Sequence, residues 1–487
     1  MKTKTIGTIL AVSGFILIAS TIYFFPFPGI PGSFTNPYPA SKIMSTQQML
    51  TLSDFEPTET KEFYVETAKV TPQMLTISQP IGDITTVTYK TGTQYHKSYV
   101  YRAELSPAQL SQLSYDKDVV GIWEIPDIKY MNIPLTTGIQ EDYGNMQTAL
   151  ESTGVTQLFN MGLTGNNTII AIIDDFPPED VFLQYFPWQD RILHYPEETN
   201  ANAQHGIMTA CIASEVAPDA KLYLINYNKN PVEAFDEILS LKQKYPGYQI
   251  VSSNSYMFFG TTYFVPDDII NRKILEVADN DIIVCFAAGN FAHPGEHNPS
   301  WTLDVGYDMR NGWFERDEEI GYPAVFNNII SVAGCNAYNN KILSYSSIGR
   351  GVGGFDEPDI SAPTHFIYLK SPWGASLGTS GSCPFLAGVC ADILSDKKAE
   401  TIRMIGAIHS YSEDRGKQGF DVEFGYGVID AVELYNQYDN WTPPPQSRPD
   451  IILLSSGAGM IGVGAVSYTH LRAHETSLHL VCRLLLE

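Results

Sequence analysis

Positive charge is what this chain has little of. Against 54 Asp and Glu stand 30 Lys and Arg, leaving a formal net charge of −24 over 487 residues. No basic stripe relieves that balance, which excludes the electrostatic footprint of a nucleic-acid-binding protein. An acidic surface of this kind is compatible with bound cations. Cysteine is scarce as well. The six present (Cys211, Cys285, Cys335, Cys383, Cys390 and Cys482) form no Cys-x-x-Cys pair and show no metal-ligand spacing. That excludes a disulfide framework and a sequence-local zinc site, and most of the six lie in apolar runs where buried free thiols are expected. Internal repeats are absent too. Long apolar runs are confined to the two ends.

At the first end, residues 1–25 read as a signal or membrane anchor: Lys2 and Lys4 precede an uncharged stretch, 6–25, that Pro26, Pro28 and Pro31 stop. About 20 apolar residues suffice to span a bilayer, and no clear small-x-small cleavage site follows. Either form places the rest of the chain outside, at the surface or beyond it. At the other end, a Pro-rich linker over 438–450 leads to the apolar, Gly-rich 451–465, read as the start of a truncated apolar segment. Residues 466–487 resemble an in-frame translation of a sequencing-library adapter and are expected to be no part of the natural chain.

Between these ends, 44% hydrophobic content is ample for a large core. Residues 26–60, rich in Pro, Ser and Thr, read as a spacer. Residues 61–132 read as a small α+β unit. There, 98–105 predicts a strand, and Ser106-Pro107-Ala108-Gln109 predicts a capping box with Pro at the first helical position. A short helix to about 113 and a strand over 119–124 follow. From 133 to 437, strand and helix patterns alternate, the mark of a parallel α/β sheet. Strands are predicted over 168–173, 250–253, 281–287 and 328–333, with helices over 232–244, 269–278 and 385–395. Residues 292–321 predict a long surface insertion.

The chemistry-bearing residues lie at the ends of these elements. Asp174 closes the apolar run Ile169-Ile170-Ala171-Ile172-Ile173, so its carboxylate leaves the strand's carboxyl end, where active groups collect in parallel sheets. His205-Gly206 opens an apolar, helix-like run, and a neutral imidazole there can accept a proton at neutral pH. In Gly378-Thr379-Ser380-Gly381-Ser382-Cys383-Pro384, Ser380 stands at or just before a helix start, where free N–H groups and the dipole favour developing negative charge. Asn290, after Ala287-Ala288-Gly289, could donate its amide to an oxyanion. Taken singly, each has a plain structural reading as strand-end turn, helix cap or loop residue. Their joint occurrence favours nucleophilic catalysis. His96, His194, His293, His297, His365 and His409 read as cap or surface histidines, and Cys383 as a packed thiol.

These pieces, in this order, resemble the subtilisin-like serine proteases over about 153–431. Further matching segments are Val216-Ala217-Pro218-Asp219-Ala220-Lys221-Leu222, Tyr322-Pro323-Ala324, Pro358-Asp359-Ile360-Ser361-Ala362-Pro363 and Gly425-Tyr426-Gly427-Val428-Ile429-Asp430-Ala431. The order Asp, His, Ser is that of subtilisin. The resemblance implies a three-layer α/β catalytic domain and a small α+β pro-domain that inhibits it until cleavage between about 132 and 144. It implies Asp174, His205 and Ser380 as the triad and Asn290 as oxyanion donor. Ser255, Tyr256 and Met257 on one side, and Ala287, Ala288 and Gly289 on the other, would be the edges between which a peptide backbone lies. Expected partners are therefore a protein or peptide substrate, the chain's own pro-segment, and a membrane through the terminal apolar segments. No cofactor is required for the chemistry, and structural calcium fits the family.

The chain departs from the family pattern in four places. Asp175-Phe176 replaces the usual Thr-Gly or Ser-Gly after the acid, and Asp175 competes for the role of Asp174. Ile207 stands where Thr is usual, Phe385 where His is usual and Thr364 where Gly is common. A second carboxylate beside Asp174 predicts one raised pKa. Two alternatives remain beside an active protease. One is a catalytically impaired, membrane-tethered scaffold on the same fold; the other is a sedolisin-like peptidase, which His205-Gly206 and Asn290 argue against.

Overall fold

The computed structural model describes residues 43–44, 60–91, 94–126, 128–129, 144–227, 230–258, 267–291, 320–352 and 354–443. Both terminal apolar segments, the linker beyond 443, the adapter-like tail and nearly all of the 292–321 insertion lie outside the described residues. Among those residues no helix is long and apolar enough to cross a membrane.

The first elements build a sheet with helices on one face. Strand β1 (Ile43–Met44) lies parallel to β5 (Val119–Glu124), and β2 (Lys61–Thr67), β3 (Ile81–Thr91) and β4 (Gln94–Leu105) complete the order β1-β5-β2-β4-β3. This is more sheet than the two strands read from sequence. Helix α1 is Pro72–Ile77 and α2 is Pro107–Tyr115. The predicted capping box is present: Gln109 N–H donates to Ser106 Oγ at 3.4 Å, and Ser106 N–H donates to Gln109 Oε1 at 2.9 Å. Period-two alternation sorts β2 into two faces. Phe63 and Val65 join Leu110 and Leu113 in a core under the helices. Tyr64, one residue out of phase, faces away into the core of the larger sheet.

That larger sheet has seven parallel strands in the order β14-β13-β12-β10-β7-β9-β8. They are β7 (Thr168–Asp174), β8 (Ile192–His194), β9 (Lys221–Asn226), β10 (Gln249–Asn254), β12 (Ile283–Ala287), β13 (Ile330–Asn336) and β14 (Ile360–Thr364). Every residue of β7, β12, β13 and β14 is buried, as expected for a parallel sheet covered on both faces. Ile170 and Ile172 face one core, with Cys285 and Val332; Ile169, Ala171 and Ile173 face the other, with Val284 and Phe286. The chain therefore has the three-layer α/β arrangement of the subtilisin-like fold.

Helices α3 (Met146–Ser152), α4 (Val155–Asn160), α6 (His205–Val216), α9 (Thr379–Leu394), α10 (Thr401–Tyr411) and α11 (Ala431–Gln437) contribute to the first core, and α5 (Glu179–Phe182), a single turn, adds Phe182 to it. Helices α7 (Pro231–Lys244) and α8 (Ile269–Asp279) cover the second face, and the small sheet lies on their outer side. There the buried Glu66 receives both Arg272 Nη atoms, at 2.8 and 2.6 Å, with Ser98 Oγ at 2.7 Å and Trp123 Nε1 at 3.1 Å. Lys273 Nζ donates to Thr86 O at 3.0 Å. Beyond this, β6 (Ile128–Lys129) pairs antiparallel with β11 (Met257–Phe258), Lys129 opposite Met257.

Candidate active site

Strand β7 lies between β9 and β10, where the connections leave in opposite directions; its carboxyl end is the crevice such sheets offer to ligands. Asn254 stands opposite Ile173. The residues that follow, Asp174 and Ser255, therefore end side by side.

Asp174 is the residue that meets the imidazole. Its Oδ1 lies 2.7 Å from His205 Nδ1 and accepts the Asp175 N–H at 2.7 Å, while Oδ2 accepts Thr209 Oγ1 at 2.9 Å. A carboxylate so supplied with donors accepts from Nδ1–H, which assigns the proton to Nδ1 and leaves Nε2 as the basic nitrogen. Thr209 lies one helical turn after His205 on α6, a spacing visible in sequence. Gly206 has a tertiary reason: a Cβ there would sit 2.4 Å from Asp175 O and 2.7 Å from the Phe176 ring. Its N–H donates to that same Asp175 O at 3.0 Å, drawing the start of α6 onto the strand end.

Asp175, the competitor, turns elsewhere. Its Oδ2 accepts Asn200 Nδ2 at 2.9 Å. Burial raises its pKa, the Asn200 hydrogen bond opposes that, and the Asp174 charge adds to it. The raised carboxyl expected of the acidic pair is thus Asp175, with burial the larger cause.

Ser380 is the second residue of α9, whose N-cap is Gly378. Pro384 lies inside this helix and lacks an N–H, so the Ser380 carbonyl has no helical donor four residues on. Ser255 Oγ supplies one at 3.1 Å, and Ser380 Oγ makes a long 3.4 Å hydrogen bond back to Ser255 O. Ser255 thereby ties the start of α9 to the end of β10. Cys383, one turn along, is within electrostatic reach of Asp174, and burial pushes its thiol up to about 11. A protonated thiol is no nucleophile at neutral pH. Asn290 Oδ1 accepts Thr379 N–H at 2.9 Å and Thr379 Oγ1 at 3.1 Å. Its carbonyl end is therefore spent on α9, and the amide Nδ2 is the end left to face a ligand. Gly289, at φ +107°, could not carry a Cβ without meeting Ser347 Oγ at 2.8 Å.

Of the edge residues, Ser255, Tyr256, Ala287 and Ala288 are buried and Met257 is half-buried in β11. The Tyr256 ring packs edge-on against Phe258 and Phe286, and its hydroxyl donates to Asn254 Oδ1 at 3.0 Å. It is a core ring rather than part of an open apolar pocket. Trp373 stands edge-on to His205 with ring centroids 6.2 Å apart, a neighbour the sequence did not signal. His365, read as a cap or surface residue, is buried, and desolvation lowers its pKa to about 4.

The model of the subtilase family matches residues 165–427. Among curated proteins, the chain is 25% identical over 334 residues to the minor extracellular protease Epr of Bacillus subtilis (strain 168), covering 62% of this chain and 46% of that protein. The chain thus spans about half the length of that relative. The crystal structure of fervidolysin from Fervidobacterium pennivorans, a keratinolytic enzyme related to subtilisin, superposes with a TM-score of 0.52 at 15% identity, over 84% of this chain and 64% of that one. The epidermin leader peptide processing serine protease of Staphylococcus aureus gives 0.53 at 15% identity, over 78% and 100%.

Proposed function

Because this chain belongs to the subtilase family, we propose that it is a serine endopeptidase in which Asp174, His205 and Ser380 form the triad. The observation that carries the reading is the 2.7 Å Asp174–His205 pair at the same sheet end as the start of α9. His205 Nε2 takes the proton of Ser380 Oγ as the oxygen attacks the peptide carbonyl. Asp174 keeps the imidazole in its Nδ1–H tautomer and stabilises the imidazolium. Asn290 Nδ2 and the Ser380 N–H, at the positive end of α9, receive the oxyanion. His205 then protonates the leaving amine, and water releases the acyl group by the same route in reverse. Each of these steps uses only side chains, backbone and water. Among the described residues no group of three or more His, Cys, Asp or Glu side chains is placed to hold a metal ion.

The substrate class in this reading is an extended peptide added as a strand beside β11. The antiparallel β6–β11 pairing supports it, since a stretch of the chain's own N-terminal side occupies that edge. The small N-terminal unit is accordingly an inhibitory pro-segment, removed by cleavage between about 132 and 144. The Lys-led apolar segment 6–25 supports export, with residues 6–25 and 451–465 as membrane anchors. The test is peptide hydrolysis and fluorophosphonate labelling of the full chain. Turnover and labelling are expected in the wild type and lost in Ser380→Ala. Folded wild-type chain that neither turns over peptides nor labels would leave the non-catalytic scaffold as the answer. Continued scission of the Ser380→Ala chain in isolation would refute self-processing.

A further inference from the structure

The peptide unit joining Gly378 to Thr379 is gripped at both ends. Its carbonyl oxygen accepts the Thr364 hydroxyl at 2.8 Å, and its N–H donates to Asn290 Oδ1 at 2.9 Å. Thr364 Oγ1 also lies 2.9 Å from Ser376 Oγ. A hydroxyl has one proton. Thr364 spends its own on a carbonyl that can only accept, so Ser376 is the donor to Thr364. A directional chain results, from Ser376 O–H to Thr364 O–H to Gly378 C=O, and then from Thr379 N–H to the Asn290 side-chain carbonyl. Every residue along it is buried. Hydrogen bonds linked head to tail polarise one another, and more so where water is excluded. At the far end stands Asn290 Nδ2.

The surroundings are shaped to admit this hydroxyl pair. A Cβ on Gly381 would lie 2.1 Å from Ser376 Oγ and 2.4 Å from Thr364 Oγ1, so the first turn of α9 closes over the pair only with glycine there. Gly378 holds φ +68°, the left-handed region that lets the chain turn sharply into the helix. Thr364 is one of the positions where the sequence departs from its family's common glycine, and a glycine could donate nothing to the Gly378 carbonyl.

We propose that Thr364, backed by Ser376, is a positioning residue for the oxyanion site. Through one peptide plane it orients the Asn290 amide so that Nδ2 faces the developing charge, and it holds the turn that carries Ser380. The inference rests on the proposed peptidase activity and is tested within it.

The experiment compares the full chain with Thr364→Val, which keeps shape and removes the hydroxyl, and Thr364→Ser, which restores it. Turnover is normalised to active sites titrated with a fluorophosphonate. Loss of one linked neutral hydrogen bond should lower kcat about three- to tenfold, with KM within about twofold. Thr364→Ser should recover most of kcat. In an Asn290→Ala background, where the chain has no endpoint, Thr364→Val should cost less than about twofold. Wild-type kcat in Thr364→Val, failure of Thr364→Ser to rescue, or an undiminished loss in the Asn290→Ala background would each overturn the proposal. Should Thr364→Val fail to fold, Ser376→Ala removes the first donor instead. It should lower kcat about two- to threefold, and an unchanged kcat overturns the proposal. A wild-type chain without turnover or labelling overturns the peptidase reading itself; an active wild type with any of the outcomes above overturns only the role of Thr364.

Discussion

Glu66→Gln swaps a buried carboxylate for an amide of nearly the same shape, at the seam between the small sheet and α8. Glu66 has no solvent exposure and accepts four hydrogen bonds: two from Arg272, one from Ser98 and one from Trp123. Arg272 is itself enclosed, its guanidinium 4.6 Å from the Tyr89 ring centroid and 5.5 Å from that of Trp123. An amide can accept at only one end, so its NH2 group must face one of these donors while Arg272 stays charged and unpaired. Removing one partner of a buried pair costs about 3–5 kcal/mol, because the survivor's desolvation is no longer offset. At the lower bound the detached state becomes about 150-fold more populated. The assay is hydrogen exchange of β2 and β11 in the Ser380→Ala chain, in which the two parts stay covalently joined. Protection in these strands should fall by about 3 kcal/mol in Glu66→Gln and comparably in Arg272→Met. The double variant Glu66→Leu/Arg272→Met should recover most of it, since an apolar pair needs no compensation. Unchanged protection in Glu66→Gln, or a double variant losing the sum of both singles, would refute the reasoning.

Asp174→Asn should lower kcat about 10,000-fold with KM little changed, because an amide facing Nδ1 no longer selects the reactive tautomer; steady-state peptide kinetics measures it. For Asp175→Asn, the carboxyl whose pKa burial raises is lost from beside His205, and with it a negative charge that favours the imidazolium. The acid limb of kcat/KM against pH should move to lower pH; an unmoved limb would separate Asp175 from the catalytic ionisation. Asp392, on α9, is wholly buried, with neither carboxyl oxygen hydrogen-bonded, and desolvation raises its pKa well above the usual range. The unfolded chain therefore loses this proton first, and stability falls as pH climbs from the ordinary Asp range toward the folded value. Asp392→Asn should match the wild type in urea titrations near pH 4 and exceed it increasingly by pH 8.

Local signals carried much of this molecule. The apolar run ending at Asp174, the capping box at Ser106 and the small-to-apolar switch at Ser380 each rest on neighbours within one or two turns, so pattern and propensity suffice to place them. The small sheet was underread because Phe63, Tyr64 and Val65 of β2 are apolar in succession, covered on both faces, so no alternation marks the strand in sequence. Tertiary structure decided what depends on partners far apart in the chain. Asp174 and Asp175 are chemically alike, and only the neighbouring strand and α6 determine which carboxylate receives the imidazole and which receives Asn200. Nothing beside Glu66 in the sequence marks it as buried; its partner Arg272 stands 206 positions later. Thr364 reads as a departure from pattern until the Gly378 carbonyl supplies its acceptor. A hydrogen bond's geometry is set where two strands or helices meet, and the order of residues along either one does not contain it.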